Sequence, residues 1–140
     1  MVPREYQRAT EDFVKFLQDA RDAAGLGSTH QAYTMTQAVF QAFRRRLDIA
    51  EAIRFSQVLP VCLRALFVDD WDTAEPRLPF EGRAVMTKEV WTLRPDHNVT
   101  PETAIQNVAH ALRKNVDETA FNLVLTRLPV GANEFWKVFP

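Results

Sequence analysis

The chain reads as an all-α protein: about eight helices in two tandem, similar halves packed as one bundle. Three observations predict this. Glycine is scarce, at four of 140 residues, while Ala, Gln, Glu, Arg and Leu are plentiful, and these favour helix. Apolar residues recur at helical spacing, and no alternating strand pattern of useful length interrupts them. Finally, Leu59-Pro60-Val61 returns as Leu128-Pro129-Val130, with the surrounding chain in the same phase.

The repeat comes first because it constrains the architecture. Pro60 and Pro129 stand 69 positions apart, and that offset holds without a gap over a long run. Gln37 matches Gln106, Val39 matches Val108, Ala42 matches Ala111, Arg44 matches Arg113 and Asp48 matches Asp117. Phe43, Leu47, Phe55, Leu66 and Phe67 align with Leu112, Val116, Val124, Phe135 and Trp136. The spacing exceeds a solenoid unit, so it implies one domain over residues 1–140 built from halves of about residues 10–71 and 79–140. A globin-like arrangement and a stacked pair of bundles both satisfy this pattern.

The first helix is expected from about Thr10 to Ala24, with an earlier start near Pro3 also compatible. Thr10 would cap it, Glu11 and Asp12 would meet the positive end of its dipole, and Gly25 and Gly27 would stop it. Ser28 and Gln31 have capping-box spacing ahead of a second helix, whose inward face is Thr36, Val39, Phe40, Phe43 and Leu47. Asp48 and Glu51 repeat the box before a third helix, with Ala52, Phe55, Ser56 and Leu59 inward. Pro60, which lacks a donor, ends that helix and suits the first turn of a fourth carrying Leu63, Leu66 and Phe67. Asp69-Asp70 and the aperiodic stretch to Pro79 form a connector. The second half repeats the plan: a helix over Phe80 to Leu93, then a turn at Arg94-Pro95-Asp96-His97-Asn98. Thr100 caps the next helix and Pro101 takes its first position. A helix capped by Asp117 follows, and a last one is opened by Pro129. Leu59 and Leu128 should occupy equivalent buried corners.

Composition excludes several function classes. Net charge is −1, which argues against a dominant anionic partner such as DNA or a charged membrane surface. No apolar run approaches the roughly 18 residues of a membrane span. Met1 to Thr10 lacks the apolar core of a signal peptide. Cys62 is the single cysteine, which points to no internal disulfide and to a cytoplasmic, reducing setting.

The run from Asp48 to Trp71 resembles a known family. A capped helix, then Val58-Leu59-Pro60, then Leu63-Arg64-Ala65-Leu66, then Trp71 is similar to the bacterial proteins grouped as domain of unknown function 2267. Members share the preceding segment, Ala38-Val39 to Arg46-Leu47, and a weaker second half ending in a stretch like Leu128-Pro129. The resemblance runs from about Phe13 to Phe139. It implies an all-helical fold of bacterial origin and carries over neither an activity nor functional residues.

Candidate chemistry is thin. His30, His97 and His110 lack the clustering a metal requires, so no metal is expected. Cys62 has no base nearby in sequence and reads as a structural thiol. Among paired carboxylates, Glu11-Asp12 and Asp117-Glu118 sit at helix starts, where acids are favoured. Asp69-Asp70 sits at a helix end, where they are not, and reads as a solvated loop. Arg44-Arg45-Arg46 is a short basic run. Arg44 with Asp48, and Arg113 with Asp117, have the spacing of a helical ion pair, so the run favours a structural corner over nucleic acid.

Two of the differences between the halves stand out: Ile49 and Ile53 are apolar where Glu118 and Asn122 are polar. This edge is expected either to pack on the other half or to form an interaction surface. The function that follows is a non-enzymatic, cofactor-free helical module that binds another protein, its own copy included, through Ile49 and Ile53. The alternative is a small apolar ligand held in a pocket between the halves.

Overall fold

The computed structural model describes residues 1–93 and 101–140. Among them lie nine helices and no strand. They are α1 (Arg4–Gln7), α2 (Ala9–Ala24), α3 (Thr29–Arg44), α4 (Ile49–Ser56) and α5 (Val61–Val68). The others are α6 (Arg83–Leu93), α7 (Ala104–Lys114), α8 (Glu118–Leu125) and α9 (Ala132–Phe135). They pack as one bundle in which α2 lies against α3 and α7, and α3 also meets α5, α6 and α7.

Several helix starts follow the capping chemistry expected of them. The Ser28 hydroxyl accepts from the Gln31 amide at 3.1 Å. The Asp48 carboxylate accepts from the Glu51 amide at 2.8 Å while Glu51 reaches back to the Asp48 amide, completing a reciprocal box. Asp117 accepts from the Ala120 amide at 3.1 Å, the equivalent contact one offset later. Gly25 ends α2 in the left-handed conformation at φ 67°.

Other boundaries differ from expectation for identifiable reasons. Thr10 lies inside α2, which follows α1 directly across Arg8, so Glu11 and Asp12 occupy the first turn without a side-chain cap. Pro60 is the N-cap residue of α5 and stands just outside its first turn. Phe80 precedes α6 because its ring is committed to tertiary contact, packing on Phe43 and against Gly131. Pro101 is followed by a turn, closed by the Ala104 amide on its carbonyl at 3.1 Å, so α7 begins at Ala104. The expected turn at Arg94-Pro95-Asp96-His97-Asn98 and the Thr100 cap lie outside the described residues. The last helix is a single turn that begins after Gly131, leaving Val130 exposed. Gly131 has φ 108°, and a Cβ there would come within 2.6 Å of Phe80 Cβ, so both backbone and space require glycine.

The interior is aromatic and belongs to both parts of the chain. Phe40, Phe43, Phe55 and Phe67 interlock with Phe121, Phe135 and Trp136, all fully buried. The Phe55 ring stacks on Trp136 with centroids 5.6 Å apart and planes at 18°. Leu59 and Leu128 are 2% and 9% exposed, as the phase requires. Leu59→Ala should therefore cost about 2–5 kcal/mol, read from the urea midpoint at unchanged m-value.

Candidate functional site: a buried arginine beside an exposed helix edge

The three consecutive arginines at the end of α3 each turn toward the protein. Arg44 Nη1 donates to the carbonyls of Phe67 at 3.0 Å and Asp69 at 2.8 Å, and Nη2 donates to that of Asp70 at 3.1 Å. Its guanidinium also lies over the Trp71 ring, 5.6 Å from the centroid. These bonds satisfy carbonyls at and just beyond the C-terminus of α5, a place where backbone acceptors lack helical partners. They also hold the turn in which Asp70 takes φ 52°, a left-handed conformation uncommon for a residue with a side chain. Arg45 pairs with Glu75 and with Glu89. Arg46, fully buried, donates to both Glu89 oxygens, to the Ala42 carbonyl and to the Pro79 carbonyl.

The expected Arg44–Asp48 and Arg113–Asp117 ion pairs do not form. α3 stops at Arg44 and α7 at Lys114, so helical i,i+4 register does not extend across either corner. Each aspartate is instead taken up as a helix cap. Arg113 does repeat one contact of Arg44 at the 69-residue offset: Arg44 donates to the Phe67 carbonyl, and Arg113 Nε donates to that of Trp136 at 2.9 Å. The two arginines then diverge. Arg113 Nη1 lies 3.3 Å from a Glu118 oxygen and donates to Asn122 Oδ1 at 2.8 Å. Arg44, only 6% exposed, contacts carbonyls and an indole ring, and no carboxylate pairs with it among the described residues. Burial pushes its pKa down from the ordinary arginine value, against the opposing pull of Glu75, Asp70 and Asp69.

Beside Arg44 is a concavity of about 490 Å³ whose lining includes Arg44, Ile49, Trp71, Thr73 and Arg77. It opens between the start of α4 and the connector that follows α5. Ile49 and Ile53 are 50% and 51% exposed, so this edge does not pack on the other half as one expectation had it. A second, shallower groove of about 260 Å³ lies between α4 and α8, lined by Val58, Leu123 and Val124 with Arg54 and Arg127 beside them.

The remaining candidates are dispersed. His30 and His110 are exposed, and His97 lies outside the described residues. No group of three or more potential metal ligands gathers among the described residues. Cys62 is half-buried, its thiol 3.6 Å from the Ala9 carbonyl. The Asp69 and Asp70 side chains are exposed and the pair works through its carbonyls. None of the described helices is long and apolar enough to cross a membrane. The participation of Trp71, Thr73 and Arg77 was hidden because the connector has no period. The usable signal was the substitution of Ile49 and Ile53 for Glu118 and Asn122.

A family profile described as an uncharacterized conserved protein, DUF2267, matches residues 13–135. The chain belongs to this family. The DUF2267 match begins at Phe13, on the apolar stripe of α2, and ends at Phe135, in the aromatic interior. It therefore takes in both arginine corners and the concavity beside Arg44. No curated protein matches the chain.

Proposed function

We propose that this DUF2267 protein is a non-enzymatic helical module that associates with its own copy along α4. The observation that supports this most is an exposed apolar pair on α4 at positions where the second half has Glu118 and Asn122. Ile49 and Ile53 lie about one helical turn apart on α4, each about half exposed. At the Ile49 end the surface is mixed in charge, with Glu75 held by Arg45 and Arg77 3.7 Å from Glu51. Beyond Ile53, Arg54 and Arg127 lie together, with Arg54 Nη1 3.4 Å from the Arg127 carbonyl. A two-fold axis through the isoleucines sets the apolar pair of one copy against that of the other, which is a self-complementary arrangement. A bacterial, cytoplasmic setting suits such a module and belongs to the same proposal.

Ile53→Glu is expected to abolish the association without loss of helix, since the side chain is exposed. Light-scattering mass should fall from a multiple of 16.1 kDa to that value, while circular dichroism stays unchanged. A wild-type chain that remains at 16.1 kDa at every concentration overturns the proposal.

A further inference from the structure

We infer that the concavity beside Arg44 binds a small organic carboxylate, whose anionic head takes the place that Glu118 occupies beside Arg113. The comparison is internal to the molecule. Arg44 and Arg113 stand at equivalent positions, and each holds the chain of its own half by a backbone carbonyl, from Phe67 and Trp136 respectively. In the second half the charge is answered by Glu118, 3.3 Å away, and by Asn122. At the same offset the first half has Ile49 and Ile53. The acid is gone while the buried arginine is kept.

A guanidinium taken out of water needs a counter-charge or a full set of acceptors. Arg44 uses three of its five donors, all on carbonyls. The two carboxylates in the lining are engaged elsewhere: Asp48 caps α4 at 2.8 Å and Glu75 is bound by Arg45. Arg77 adds a second positive group, held only loosely at 3.7 Å from Glu51. Leu47, Ile49, Ala50 and Trp71 give the wall an apolar part, so the fitting anion carries an apolar body behind its head. The volume, about 490 Å³, lies within the range of small-molecule sites.

The inference goes beyond self-association and reads a resonance where the first reads a mass; Ile49 belongs to both surfaces, so Arg77→Ala, outside the isoleucine pair, is the variant that separates them. The ¹⁵N-labelled chain is titrated with sodium benzoate while the indole N–H signals of Trp71, Trp91 and Trp136 are followed. The Trp71 signal is assigned by its loss in Trp71→Phe. The Trp71 signal is expected to shift saturably, with Kd in the millimolar range or tighter, and the other two to stay in place. Acetate, which has the head without the body, should bind roughly tenfold more weakly, a difference of about 1.4 kcal/mol. Ile49→Glu restores the acid found in the second half and should weaken benzoate by roughly tenfold or more. Arg77→Ala, at an exposed side chain, should weaken it as well and serves if Ile49→Glu does not fold. A Trp71 signal that benzoate does not move, or a response that neither variant reduces, overturns the inference. An equal response to inorganic phosphate overturns the assignment to a carboxylate.

Discussion

Phe43→Ala should destabilise the protein by about 3–5 kcal/mol, the range for removing a large aromatic side chain from a core that cannot collapse. Phe43 is fully buried and lies at the hub of the aromatic interior. Its ring centroid is 4.8 Å from Phe55, 4.9 Å from Phe135 and 5.2 Å from Trp136, with Phe67 and Phe80 slightly farther. These neighbours come from α4, α5, α9 and the connector, so no single helix can shift to fill the void. The tilted and edge-on pairs add their own attraction to the area buried. The urea midpoint should fall steeply at unchanged m-value. Phe43→Leu, which keeps most of the volume, should cost far less. A Phe43→Ala cost below about 1 kcal/mol would mean that the interior is not packed around this ring.

Glu89→Ala should have an effect of similar size, about 3–5 kcal/mol, for a different reason. Arg46 is buried to within 1% of its side chain and gives two hydrogen bonds to Glu89, at 2.7 and 3.0 Å. Removing the carboxylate leaves a guanidinium in the interior with only the Ala42 and Pro79 carbonyls. Burial by itself raises the Glu89 pKa, but the bonds and charge of Arg46 and Arg45 outweigh it and hold the carboxyl below the usual glutamate range. The sign for stability follows. A depressed folded-state pKa contributes stability that is complete above the unfolded-state value, near about 4.3 for glutamate, and is lost as pH falls through the lower folded-state value. Wild type should therefore lose stability in acid more steeply than Glu89→Gln, and the gap between their urea midpoints should narrow as Glu89 takes up its proton.

Much of the fold was legible because it is written in local chemistry. Ser28, Asp48 and Asp117 announce helix starts by the hydrogen bonds their side chains can accept. The stripe Val39, Phe40, Phe43 and Leu47 points inward because helical periodicity leaves it no other face. The errors fall where a distant partner decides. Phe80 is a plausible helix residue until Gly131 and Phe43 claim its ring. Arg44 and Asp48 have ion-pair spacing only if one helix carries both, and α3 ends between them. The site was half legible. Ile49 and Ile53 stood out as apolar where their counterparts are polar. The buried arginine that gives this difference a meaning needed the corner geometry, since a run of three arginines looks the same in sequence whether solvated or engaged.

The stacking of Phe55 on Trp136 carries a consequence for how the molecule can come apart. The N-terminal and C-terminal parts of the chain share one interior, because Phe40, Phe43, Phe55 and Phe67 interlock with Phe121, Phe135 and Trp136. Cooperativity is thereby built into the architecture: losing the contacts of one part of the chain exposes the apolar surface of the other, and melting should be all-or-none.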